Sequence, residues 1–107
     1  MNFVIQNEKS IKTKFFKALA DPIRLEIIDF LTNGEKCVCE IVEQLAIIQP
    51  LASRHLRILR ESGIVTDRRD GTKKMYKLSN IKIKELIDLL DHNLLEELSQ
   101  KILQEAL

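Results

Sequence analysis

Cys37 and Cys39 stand one residue apart, and two thiols at that spacing can hold a soft ion, respond to oxidation or simply pack as small apolar groups. Cys39 falls immediately before Glu40, where a helix is expected to begin. Its sulfur would then face unpaired backbone N–H groups and the positive end of the helix dipole, with Lys36 as a nearby cation. Both influences favour thiolate, the form that binds soft centres. If residues 37–39 are extended, the two side chains point the same way. If they are helical, the side chains diverge by about 200° and cannot share one ion without local unwinding. In a reducing compartment the pair is expected as thiols rather than a structural disulfide.

The second group of candidates is cationic. Residues 49–78 carry eight basic residues against Glu61, Asp67 and Asp70, a local balance of +5, whereas residues 1–48 sum to −1 and residues 79–107 to −3. A basic segment between two mildly acidic ones points to a face for a polyanion, against the plainer reading of a solvated basic surface. Asp88 and His92, four residues apart, could in principle hold a metal, although such a pair is more often a surface hydrogen bond. No Ser-His-Asp set, glycine-rich phosphate loop or pair of catalytic carboxylates stands out, so catalysis is not expected.

Positioning these groups requires a particular order of elements. Ile11, Phe15 and Leu19 fall on one stripe of a helix over Lys9–Leu19. Asp21-Pro22 begins a second helix, Asp as N-cap and Pro at the first helical position, and Asn33-Gly34 ends it. A short extended piece, Glu35–Cys39, leads to a helix over Glu40–Ala46, and a tight connection leads to another from Pro50 to Gly63, with Leu51, Leu56 and Leu59 inward. Ile64–Arg69 and Lys73–Leu78 read as strands joined at Asp70-Gly71, a strong hairpin signal. A last helix, capped by Ser79 or Asn80, is expected to run to the C-terminus with Ile83, Ile87, Leu90, Leu94 and Leu98 on one stripe. Two short helices joined by a tight turn and followed by a basic hairpin make a mainly α, winged helix-turn-helix arrangement with a small β-hairpin.

In that arrangement the second helix of the pair enters the major groove. Gln49, Ala52, Ser53 and Arg54 occupy its N-terminal half. Gln and Arg can pair with base edges, Ser can serve base or phosphate, and Ala52 would permit close approach. Arg57 and Arg60 lie one and two turns further on and are expected to reach phosphates, with His55 beside them in packing or in a phosphate contact. Arg68 and Arg69 before the hairpin turn, and Lys73 and Lys74 after it, would repel one another unless an anion sat nearby. The alternative, a module for protein contacts, gives no reason to place six cations on adjoining elements.

With 107 residues the chain is expected to form one domain over 1–107. The stripes Ile11, Phe15, Leu19 and Leu90, Leu94, Leu98 exceed what such a core needs, which suggests a homodimer interface. Two-fold symmetry would set two reading helices about 34 Å apart on an imperfectly palindromic duplex. No apolar run reaches the length of a membrane span, and Met1–Ser10 lacks the pattern of a secretion signal, so a cytoplasmic protein with no membrane partner is expected.

Four stretches carry a resemblance: Ala20-Asp21-Pro22-x-Arg24-Leu25, Cys37-Val38-Cys39-Glu40-Ile41, Gln49-Pro50-Leu51-Ala52-Ser53-Arg54-His55-Leu56, and Leu59-Arg60-Glu61-Ser62-Gly63-Ile64-Val65. Together they resemble the ArsR/SmtB family of winged-helix repressors over about 60 residues. The resemblance implies a homodimer that joins through its first and last helices, and repression relieved by an inducer. Within the family, Cys-Val-Cys at this place marks the arsenite- and antimonite-responsive type and part of the cadmium and lead type. A third thiol often accompanies the pair, but position 42 is Val, and the N-terminal cysteine of the cadmium type is missing. The zinc positions of the family's last helix correspond to Asn80, Lys82, Asn93 and Glu96, which do not form that site. Arsenite or antimonite as inducer, redox or persulfide sensing, and no sensing at all remain the three readings of Cys37 and Cys39; no cofactor is expected for DNA binding.

Overall fold

A computed structural model describes residues 7–107. The reading of Met1–Ser10 as lacking a secretion signal concerns, in part, residues 1–6, which lie outside the described residues. Helix α1 spans Glu8–Leu19 and α2 spans Pro22–Leu31. The Asp21 carboxylate accepts from the N–H groups of Ile23 (2.8 Å) and Arg24 (3.2 Å), so the expected Asp-Pro start of α2 is borne out. Strand β1 is the dipeptide Lys36–Cys37, α3 spans Val38–Leu45, and α4 spans Gln49–Glu61. The turn between α3 and α4 passes through Ala46 in the left-handed region (φ 54°), held by its N–H donating to the carbonyls of Glu43 and Val42.

Strands β2 (Val65–Asp70) and β3 (Lys73–Leu78) form the hairpin, with Asp70 opposite Lys73 and Gly71 (φ 64°) in the turn. The sequence did not suggest that β1 also pairs with β3, Cys37 opposite Met75, giving an antiparallel sheet of order β1-β3-β2.

Two boundaries differ from expectation. Helix α3 starts two residues early because Cys37, not Cys39, is its N-cap. Cys37 is extended (φ −78°, ψ 162°), its Sγ accepts from Glu40 N–H at 3.1 Å, and Glu40 Oε1 accepts from Cys37 N–H at 3.0 Å. This is the reciprocal capping box, with a thiol in the place of a hydroxyl. The C-terminal helix is not continuous. Helix α5 covers Lys82–Asp88, the chain breaks over 89–91, and α6 covers His92–Ala106 with Asp91 as its cap, accepting from Leu94 N–H at 2.9 Å. Asn80 Oδ1 accepts from Lys82 N–H at 2.8 Å, but Ile81 is the N-cap of α5, so neither Ser79 nor Asn80 takes the expected capping position.

The core is built from Ile27, Ile28 and Leu31 of α2, Ile41 of α3, Ala52, Leu56 and Leu59 of α4, Ile64 just before β2, and Val65 and Tyr76 of the sheet. Each fully buried Leu or Ile contributes about 1.5–3 kcal/mol, so α4 is held by its inner face while its outer face stays free. The C-terminal end is different: none of the residues of α6 is buried. Leu19 and Phe16 of α1 share a groove of about 560 Å³ with Leu86, Leu90 and Leu94. Ile11 and Leu98 are exposed beyond it, and Phe15 packs partly onto the core, edge-on to Phe16. No helix among the described residues is long and apolar enough to cross a membrane.

Candidate nucleic-acid interface

Helix α4 alternates its allegiance every three or four residues. Ala52, His55, Leu56 and Leu59 turn inward, leaving Gln49, Ser53, Arg54 and Arg57 exposed and Arg60 partly so. The hairpin lies alongside, and the two elements enclose a cleft of about 890 Å³. Its walls carry Arg54, Arg57 and Arg60 from α4 and Arg69 and Lys74 from the hairpin. Gln49 and Ser53 line it as well, and Cys37, Cys39 and Tyr76 share the same lining.

Three of the expected contacts are corrected. Ala52 is fully buried, so it packs α4 onto the core instead of easing approach to a groove. His55 is 4% exposed and belongs to an internal network, so of its two expected roles packing holds and the phosphate contact does not. Arg68 forks onto Glu35, with Nε to Oε2 at 2.9 Å and a terminal nitrogen to Oε1 at 2.6 Å. Strand alternation puts Arg68 on the face opposite Arg69, which explains the division. The hydrogen bonds from Arg68 hold the Glu35 carboxyl below its ordinary range, and the same pairing raises the guanidinium's affinity for its proton. Lys73 is exposed at the start of β3 and does not line the cleft.

Sequence reasoning missed Asp67. Its carboxylate accepts from Lys74 (3.2 Å) and Arg60 (3.4 Å), joining α4 to the hairpin. Partial burial pushes the Asp67 carboxyl up, but the bonds from Lys74 and Arg60 outweigh this and hold it down. The signal was its place between the two cationic runs, two residues from Arg69.

Cys37 and Cys39 are joined as a disulfide, contrary to the expectation of free thiols. Cys37 is 2% exposed, while Cys39 is exposed. Neither geometry weighed from the sequence applies: Cys37 is extended and Cys39 is already helical, which lets the sulfurs meet. The Lys36 ammonium lies 5.2 Å from the centre of the Phe30 ring. Among the described residues no group of three or more His, Cys, Asp or Glu is placed to hold a metal. Asp88 and His92 are not partners: they lie on either side of the break, Asp88 accepts from Lys84 at 2.6 Å, and His92 lies 3.7 Å from Glu96 within α6.

His55 connects the reading helix to the rest of the molecule. Its Nδ1 lies 3.0 Å from a terminal nitrogen of Arg24, whose Nε donates to Ala18 O at 2.6 Å. Arginine can only donate, so Nδ1 is the acceptor and the ring's proton sits on Nε2. Burial pushes the His55 pKa below 6.5; the Asp21 carboxylate pulls it up, and Arg24 and Arg54 lower it further. Because the folded-state value is depressed, this stability is complete above pH 6.5 and is lost as pH falls through the folded value. Urea unfolding above and below pH 6.5 should show that loss, and His55→Gln should flatten it; an equal decline in His55→Gln would assign it elsewhere.

An exposed cationic helix after a tight turn, flanked by a basic ribbon, defines a winged helix-turn-helix DNA-binding protein. Comparison with known proteins narrows this. The family model for bacterial regulatory proteins of the ArsR family matches residues 21–67. An uncharacterised HTH-type transcriptional regulator of Methanocaldococcus jannaschii is 44% identical over 79 residues, covering 73% of this chain and 89% of the relative. The arsenical resistance operon repressor of Staphylococcus xylosus is 41% identical over 78 residues, covering 73% of this chain and 71% of that one. Among solved structures, the homodimeric winged helix-turn-helix DNA-binding domain of a possible ArsR-family regulator from Mycobacterium bovis superposes with a TM-score of 0.77 at 28% identity, covering 94% of this chain and 93% of the other. The chain belongs to the ArsR family, a family of transcriptional regulators and not of enzymes.

Proposed function

We propose that this protein is a homodimeric, cytoplasmic repressor that grips an imperfectly palindromic operator through the α4–hairpin cleft and releases it when reduced Cys37 and Cys39 bind a trivalent arsenical or antimonial. The observation that carries this reading is the cleft itself: Arg54, Arg57, Arg69 and Lys74 line it together with both cysteines. Gln49, Ser53 and Arg54 read bases, while Arg57, Arg60, Arg69 and Lys74 meet phosphates. Two thiolates suit a soft trivalent centre, and arsenical resistance repressors are among the relatives. Cys37 Sγ also caps α3. A ligand that claims that sulfur competes with the cap, loosens the first turn of α3 and disturbs the seat of α4.

The disulfide favours a second reading, in which the same pair answers to oxidation. Fluorescence anisotropy of the reduced protein on a labelled operator duplex separates the two. Arsenite is expected to release wild-type protein and to leave Cys37→Ser and Cys39→Ser bound. Release that persists in both variants removes the cysteines from the response; release by oxidant and not by arsenite selects the second reading.

A further inference from the structure

The two sulfurs of the Cys37–Cys39 pair differ in access and in hydrogen bonding, both of which bear on thiol–disulfide exchange. Cys37 is 2% exposed and its Sγ accepts the Glu40 N–H at 3.1 Å. Cys39 is exposed. Both line the 890 Å³ cleft together with Arg54, Arg57, Arg60, Arg69 and Lys74. That volume lies within the range of small-molecule sites, about 300–1,000 Å³. Among the described residues, Asp67 is the carboxylate that bonds two of these cations, Arg60 and Lys74; Arg57 faces Glu61 at 3.8 Å. Arg54 and Arg69 have no carboxylate partner within ion-pair distance among the described residues.

We propose that this disulfide is an S-thiolation site for small anionic thiols, with Cys39 as the sulfur that carries the adduct. The attacking thiolate forms a bond to Cys39 Sγ as the Cys37–Cys39 bond breaks. The electron pair of that bond leaves on Cys37 Sγ, where the Glu40 N–H meets the new charge, and the sulfur takes a proton from solvent. One thiol is consumed, one mixed disulfide and one thiol are formed, and no external oxidant is needed. Exposure fixes the sulfur attacked, because an incoming thiolate cannot approach buried Cys37 in line. The cleft fixes the class of thiol: carboxylates on the incoming molecule are attracted to Arg54 and Arg69, whereas an ammonium is repelled. Once attached, the adduct fills the space between reading helix and hairpin and neutralises cations there. The consequence for DNA rests on the proposed function; the exchange itself does not.

The test uses the oxidised full-length protein and three thiols at equal thiolate concentration: glutathione (anionic), 2-mercaptoethanol (neutral) and cysteamine (cationic). Acid-quenched samples are read by intact mass and peptide mapping. Glutathione is expected to react roughly tenfold faster than cysteamine at low salt, with the adduct on Cys39. The gap is expected to close at about 1 M salt, where the screening length is about 3 Å, and in the Arg54→Ala/Arg69→Ala double variant. Equal rates at low salt, or an adduct on Cys37, overturn the proposal. Anisotropy on the operator duplex then separates the two claims. Weakened binding by the Cys39 adduct supports both. Unchanged binding with the adduct in place overturns the cleft as a DNA surface and leaves the exchange site standing.

Discussion

Leu98→Glu is expected to turn a dimer into a monomer and to lower affinity for a two-half-site duplex by about two orders of magnitude or more, since the second half-site contributes through effective concentration. The expectation rests on a helix with nothing to lean on. Leu95, Leu98, Ile102 and Leu103 of α6 are 51, 40, 68 and 61% exposed, and Leu90 nearby is 50% exposed. Apolar side chains at this density on a single face mark an interaction surface. The groove formed by Phe16, Leu19, Leu86, Leu90 and Leu94 continues it across α1 and α5. A carboxylate at position 98 costs the isolated subunit little, because the site is already open, but in a closed interface it would be a desolvated, unpaired charge. Sedimentation velocity and anisotropy on the same samples check both halves. A variant that stays dimeric and binds normally places the interface elsewhere.

Arg24→Ala is expected to cost about 2–4 kcal/mol, since a buried acceptor that loses a charged donor forfeits more than an average hydrogen bond. Arg24 serves three carriers at once: Ala18 O at 2.6 Å, Lys17 O at 3.4 Å and His55 Nδ1 at 3.0 Å. It therefore ties the end of α1, the start of α2 and the reading helix α4 at one point. Without it, His55 is left buried beside the Asp21 carboxylate, 4.0 Å away, with its ring nitrogen unpaired. Thermal unfolding at fixed protein concentration should show a loss of roughly 10–20 °C, and Arg24→Lys should not restore it, because a point charge cannot fork onto three acceptors. A loss below about 0.5 kcal/mol, the size of an ordinary surface substitution, would show that the three bonds do not hold these helices together.

Punctuation and periodicity made most of the fold legible. Asp21-Pro22 and Asp70-Gly71 mark a helix start and a hairpin by chemistry that needs no partner, and the core residues of α2 and α4 repeat at helical spacing. What escaped depends on contacts distant in sequence or on an unusual residue in a usual role. Cys37 caps α3 at the spacing of a capping box, yet thiols are outside the set in which that signal is ordinarily sought. The break over 89–91 was hidden because the apolar stripe continues through it, serving a surface that a single subunit does not cover. Asp91, a good cap with an apolar run after it, was the available clue.

The cations at the site were visible as charge but not as direction. Arg68 and Arg69 are neighbours in sequence, and only the register of β2 sends one to Glu35 and the other into the cleft. Ala52 and His55 carry a plainer lesson. They lie at three- and four-residue spacing from Leu56 and Leu59, so the helix period already placed them inward. For Ala52 the expected close approach to DNA ran against that periodicity; for His55 the periodicity favoured packing, one of its two readings, over a phosphate contact. The partly buried Arg24–His55 contact spans 31 residues and could come only from the fold.

The central claim, that the α4–hairpin cleft receives the phosphate backbone, is tested most directly by the salt dependence of operator affinity. Arg57→Ala, Lys74→Ala and Lys77→Ala should be compared with wild type, the last being an exposed cation outside the cleft lining. The expected result is a steep fall of affinity with salt in wild type, a slope shallower by about one for Arg57→Ala and for Lys74→Ala, and no change for Lys77→Ala. Slopes that are the same in all four proteins would contradict it.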